Sequence, residues 1–353
     1  MPTAILNLDR CRVTLVSERL EIHAPDPDNP AREILLRTLP LRDVDRVVAG
    51  ENTHFTSPAL AELLRRQIPL QFFAGNGRFL GNFLPAQNHH GLARLRQYQR
   101  TLDPAFALQI AGRIVAAKLY NQRRVLQRLA ASRATTANRD PSASPDPSHP
   151  PAPSDLPTDW LGAMLAQTSR ATSLDELRGY EGAATARYFA AWATFLPPDF
   201  PFERRSTRPP LNPVNACIRF AATLLYHEAV AFTHAHGLDP ALGLLHATEN
   251  GRWSLALDLI EPFRPVLVEA LALDLFSHQI LSAAHFDHRD GGCFLNEEGR
   301  KKFFLQYERR LERQFLSEAV GHRTTLRAQL EHQATLFKNA LDNPAAFEPF
   351  LMN

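Results

Sequence analysis

The chain has 353 residues but only three cysteines, three methionines and three tryptophans. Cys11, Cys217 and Cys293 form no CxxC pair, which argues against a disulfide framework and a thiolate zinc site, so the thiols are expected to be reduced and mostly buried. No apolar run approaches a bilayer span and the opening MPTAILNLDRCRV lacks the segments of an export signal; the expected location is the cytoplasm. Walker A and GxSxG sequences are missing. The glycines of GNGRFLG are followed by no helix, so Asn76-Gly77 reads as a hairpin turn and not as a phosphate cradle. His227-Glu228 opens an HExxH pattern, but position 231 is Ala, and the zinc reading fails. His234 with His236, and His285 with Asp287 and His288, read as surface loop residues. A formal net charge of +2 excludes little, because the charge is unevenly distributed.

Two stretches are strongly basic. Residues 91–133 carry nine Lys and Arg against Asp103 alone, and residues 300–330 carry eight against Glu308, Glu312 and Glu318. Both have a helical period, and clustered Arg on helices is the footprint of phosphate-backbone binding; a solvated helical face is the plainer alternative. The first 85 or so residues read mostly as strand: CRVTLVS, ERLEIHA, DRVVAG and the two runs of PLQFFAGNGRFLGNF. A helix over 57–66 interrupts them, with Ser57 as its cap and Pro58 in its first turn. From about Leu92 the period is helical. Residues 134–159 hold seven prolines and almost nothing that forms a core, the composition of a flexible loop.

The most unusual stretch is GRWSLALDLIEPFRP, residues 251–265. Its apolar residues run all the way round a helix, the pattern of a buried element, yet Asp258 and Glu261 sit among them, three apart on one face. A buried unpaired carboxylate is costly, so these acids should protonate, pair or face a cation. Glu181, in YEGAATARYFAAW, reads by itself as a carboxylate near a helix N-terminus, on a helix whose small residues at 183, 184 and 186 permit close approach of another element. His246 by itself reads as a satisfied core histidine.

The ordered blocks YEGAATARYFAA, RRSTRPPLNPVNA, GLDPALGLLHATENGRWSLALDLIEPFRP and GGCFLNEEGRKKFFLQYERRLE resemble the CRISPR-associated integrase of the spacer-acquisition complex. IVAAKLYNQRRVL, upstream, and HQATLFKNAL, downstream, extend the likeness over nearly the whole chain outside the proline-rich segment. The resemblance implies an α+β chain: a small, mostly β N-terminal domain, residues 1–88, then a larger all-α catalytic domain, residues 89–353. It implies a divalent ion, Mn²⁺ or Mg²⁺, held by Glu181, His246 and Glu261, with Asp258 as an auxiliary acid. Asn215 matches an amide that the family keeps beside the site, Lys118, Asn121 and Gln122 match its KxxNQ segment, and Arg252, Arg300 and Lys301 match basic positions expected near DNA; with Arg123 and Arg124 of the basic stretch, these are the candidate DNA contacts. The implied activity is metal-dependent DNA cleavage and insertion of spacers into a CRISPR array by attack of a 3′ hydroxyl. The implied partners are DNA, a second copy of the chain and a small ferredoxin-like protein. A transposon-encoded integrase of the same fold and a catalytically silent DNA-binding scaffold are the alternatives; the intact acids argue against the scaffold.

Overall fold

The computed structural model describes residues 3–6, 10–29, 31–74, 79–83, 91–137, 159–318 and 320–352. The chain divides into two units, Met1–Asn88 and His89–Asn353. In the first, β1 (Thr3–Leu6), β5 (Arg46–Gly50), β7 (Leu70–Phe73) and β8 (Phe79–Phe83) form one four-stranded sheet, in that order. The second sheet runs β4 (Glu33–Pro40), β3 (Arg19–Pro25), β2 (Arg12–Val16), β6 (His54–Phe55). Val13, Leu20 and Ile22 of the second sheet and Leu6, Val47, Ala49 and Leu70 of the first join Ala59 and Leu63 of helix α1 (Ser57–Arg65) in one core. β7 and β8 pair antiparallel as expected of a hairpin, although residues 75–78 of the turn lie outside the described residues. The cap of α1 is Thr56 and not Ser57, which is the first helical residue.

The second unit is built on α3 (Pro104–Ala137), which follows α2 (Gly91–Thr101). Asp103 Oδ1 accepts from the amides of Ala105 and Phe106, and Pro104 supplies a helical φ without wasting a donor, so the helix start is locally encoded. Ile110, Ala111, Ile114, Val115, Leu119, Val125 and Leu126 form its buried stripe, against which α4 (Asp159–Thr168) and α5 (Leu174–Ala193) pack. α3 continues through Ala137, beyond the expected start of the proline-rich loop, most of which lies outside the described residues. α6 (Pro213–Ala235) buries most of its length, and α7 (Ser254–Ile260), itself almost wholly buried, packs on it.

After α7 the rod stays helical but changes period: a 3₁₀ turn over Glu261–Phe263, a π turn over Arg264–Glu269, then α8 (Ala270–Ser277). Pro262 and Pro265 have no amide hydrogen to continue the α ladder, and the Ala270 amide reaches back five residues to the Pro265 carbonyl. α9 (Glu297–Glu312) and α10 (Leu326–Ala340) complete the helices. The unit is not all-α: β9 (Phe286–Arg289) pairs with β10 (Gly292–Leu295), and β11 (Phe315–Ser317) with β12 (His322–Thr324), as antiparallel hairpins. The three thiols are free and buried. Among the described residues no helix is long and apolar enough to cross a membrane.

Candidate metal and nucleic-acid site

Glu181 lies in the third turn of α5, not at its N-terminus, which Ser173 caps by accepting from the Glu176 amide. Of the small residues beyond it only Ala184 is buried; Ala183 and Ala186 are exposed. The Glu181 carboxylate accepts from Thr185 Oγ at 2.9 Å and contacts Lys118 Nζ of α3. The same ammonium is 2.5 Å from Glu261 Oε2, at the irregular end of α7. Glu261 Oε1 accepts from Arg264 at 2.8 Å. Burial alone would raise the Glu261 pKa, but the Arg264 and Lys118 charges outweigh it and hold the carboxylate ionised. Lys118 is likewise held charged, its burial offset by Glu261 and then Glu181.

Asp258, with no exposed surface, faces the other way. Its Oδ2 accepts from the amides of Leu244 (2.6 Å) and Leu245 (3.0 Å), and its Oδ1 from the amide of His246 (2.9 Å). His246 Nδ1 is 2.6 Å from the same Oδ1. Burial pushes the imidazole pKa down, but the Asp258 bond and charge more than compensate, and the net direction is up. The carboxylate fixes the ring and its loop and commits Nδ1, which leaves Nε2 as the ring nitrogen not engaged by Asp258. The loop has further fasteners: Arg178 Nε donates to the Leu245 carbonyl at 2.8 Å, and Arg252 and Ser254 Oγ donate to the Ala247 carbonyl at 2.5 and 2.7 Å.

Glu181, His246 and Glu261 are thus electrostatic neighbours built from three separate elements. They are not drawn together: among the described residues no three His, Cys, Asp or Glu side chains form a ready metal-binding group, and the Lys118 ammonium sits between the two carboxylates. The donors nonetheless fit a hard divalent ion. Two carboxylates already hold one cation, and the imidazole is oriented by a carboxylate behind it.

The expected DNA-contacting residues fare unevenly. Asn121 is fully buried, donating to the carbonyls of Pro262 (2.7 Å) and Phe350 (3.0 Å) and accepting from the Met352 amide (2.7 Å). Gln122 is buried behind Thr185, and Asn215 is buried with its amide bridging Arg204 and Ser206. These three are buried and bonded within the protein. Arg252 secures the His246 loop, Arg300 donates to the Leu295 carbonyl, and Lys301 pairs with Glu297. Arg123 runs near Gly162, and Arg124 bonds Gln127 at 3.2 Å. Two contributors were not singled out in the sequence although the spacing contained them: Thr185, four residues after Glu181, and Arg264, three after Glu261.

The model of the family described as CRISPR associated protein Cas1 matches residues 6–309. The chain belongs to the Cas1 family. A CRISPR-associated endonuclease Cas1 of Thermodesulfovibrio yellowstonii is 32% identical over 285 residues, 78% of this chain and 83% of the relative. A Thermus thermophilus Cas1 endonuclease is 31% identical over 322 residues, 90% of this chain and 89% of the relative. A Cas4/Cas1 fusion of Geobacter sulfurreducens is 33% identical across 85% of this chain, which spans 52% of the fusion. The solved structure of a Cas1 protein from Thermotoga maritima matches with a TM-score of 0.75 at 23% identity, covering 100% of this chain and 99% of that one; at this identity the likeness speaks for the fold.

Proposed function

We propose that this Cas1 chain is a divalent-metal-dependent DNA endonuclease and integrase that inserts spacers into a CRISPR array. The observation that carries the reading is the meeting of Glu181 and Glu261 around a cation, beside an imidazole oriented by Asp258. Glu181, His246 Nε2 and Glu261 would hold Mn²⁺ or Mg²⁺. A hard divalent ion bound there supplies phosphate charge neutralisation and activation of the attacking hydroxyl.

The chain's own residues do the rest. Asp258 and Arg178 keep the imidazole and its loop in place. Arg264 holds Glu261 ionised, ready to ligate. The exposed arginines supply counter-charge for the DNA backbone. Relatives named Cas1 endonuclease support nucleic-acid cleavage, and a solved Cas6-RT-Cas1–Cas2 complex, part of which shares this fold, supports a protein partner; that partner is expected to be small and ferredoxin-like, and the chain to act as a homodimer. A cytoplasmic location completes the reading.

The test is an integration assay with purified protein, its small partner, Mn²⁺ and a supercoiled plasmid carrying the array. Wild type should join donor 3′ ends to the repeat, and Glu181→Ala should not. Joining that survives in Glu181→Ala, or in excess chelator, would refute the proposal.

A further inference from the structure

Lys118 was expected beside DNA, but its ammonium lies between two acids of the candidate metal site. Its side chain is 7% exposed and touches both Glu181 and Glu261. Glu261 has its second oxygen on Arg264. Two formal negative charges are therefore already matched by two formal positive ones. Of the neighbouring acids, Asp258 is occupied by three loop amides, and Glu269, 3.9 Å from Arg264 Nε, already shares the charges of Arg264, Arg205 and Lys118. A divalent ion entering this set competes with the ammonium for the same two carboxylates.

The backbone under Lys118 is fixed. Asn121, one turn further along α3, is bonded to the carbonyl of Pro262, the residue after Glu261, and to Phe350 and Met352 of the C-terminal strap. α3 and the Glu261 turn are thus fastened together, and relief has to come from the side chain. A lysine has the flexible four-carbon stem for that movement, which the planar guanidinium of arginine would make harder.

We propose that Lys118 is a built-in counter-ion that divalent metal must displace from Glu181 and Glu261, so that metal loading stays weak until a DNA phosphate offers the released ammonium a new partner. The proposal rests on the reading of Glu181, His246 and Glu261 as the ligand set. It makes metal and DNA binding mutually reinforcing, and by reciprocity each tightens the other.

Calorimetric Mn²⁺ titrations of the full-length wild type, Lys118→Met and Glu261→Gln, with and without a short DNA duplex and with circular dichroism to confirm folding, test it. Lys118→Met should bind Mn²⁺ about tenfold or more tighter than wild type without DNA, a change of ~1.4 kcal/mol or more, and DNA should add little further. In wild type, reductive methylation read by mass spectrometry should spare Lys118 in chelator and modify it once Mn²⁺ saturates the site. Equal affinities for wild type and Lys118→Met, or labelling of Lys118 that Mn²⁺ leaves unchanged, would overturn the proposal; if Lys118→Met does not fold, the labelling of wild type decides. Loss of binding in Glu261→Gln keeps the ligand reading intact even where the counter-ion proposal fails. Undiminished binding in Glu261→Gln sinks the ligand reading itself.

Discussion

Both oxygens of Asp258 are engaged by amides of the His246 loop, whereas both oxygens of Glu261 face cations. The two acids are three residues apart in sequence, and the difference sets what an isosteric amide does at each place. Asn at 258 turns one acceptor into a donor aimed at amide hydrogens, so Asp258→Asn should lose about 1–3 kcal/mol of stability and weaken Mn²⁺ binding by about 10–100-fold. Glu261→Gln should abolish Mn²⁺ binding. Titration calorimetry beside thermal melts separates the two, and normal binding in Glu261→Gln with its loss in Asp258→Asn would transfer the ligand role to Asp258. His227 makes an independent prediction. Burial lowers its pKa to about 3, so the folded state refuses a proton that the unfolded chain accepts. The stability it confers is full above the unfolded value near 6.5 and falls as pH drops from there towards 3. His227→Phe should flatten the melting-temperature profile across that window; a slope equal to that of wild type would assign the acid sensitivity elsewhere.

At the scale of elements, the loop that carries His246 is held by close backbone approach as well as by hydrogen bonds. A Cβ on Gly243 would overlap the His246 carbonyl oxygen and lie 2.5 Å from Ser254 Cβ, and both neighbours are backbone or near it. Gly243→Ala should therefore push His246 out of position at a cost of about 1–3 kcal/mol. The melting temperature should fall modestly and Mn²⁺ affinity strongly; unchanged affinity would show that the loop adapts. Local signals made several elements legible in the sequence. Alternation revealed β2 and β3, and the apolar hairpin runs revealed β7 and β8. β4 was not legible, because only part of its length is covered and its Leu35 and Leu36 are exposed. Nor was the change of helical period after Ile260, although Pro262 and Pro265, which cause it, were in plain view; it needs the carbonyls of Leu259 and Pro262 to be taken by Gln333 and Asn121, residues distant in the chain.

Across the whole molecule, the candidate site is legible as a set of separate acids and one histidine, but not as a charge-balanced cluster, because Lys118 and Arg264 acquire their roles only when α3, α5 and the end of α7 meet. Charge totals mislead for the same reason. The basic excess of 300–330 begins just past Glu297 and Glu298, which pair with Lys301 and Lys302, and it includes Arg327, buried among Glu228, Glu308 and Glu312. In the earlier block, Arg96 pairs with Asp342, and Arg100 and Arg113 hold carbonyls of the C-terminal segment. A narrower feature survives. Arg128 of α3 has Arg124, Arg310 and Arg313 as neighbours, and burial and then these charges lower its pKa, although Arg310 is itself paired with Asp274. Mutual repulsion of this kind is relieved by an anionic partner, which makes this cluster the part of the basic surface suited to a phosphate backbone. Arg124→Gln with Arg128→Gln should weaken duplex binding and reduce the slope of log affinity against log salt by about 2. Arg327→Met should do the opposite, losing about 3–5 kcal/mol of stability by stranding buried carboxylates while leaving the salt slope of the folded fraction unchanged. Fluorescence anisotropy over a salt series, with melts of both variants, measures the contrast; a slope unaltered by the α3 pair would mark that surface as solvated and move the DNA path elsewhere.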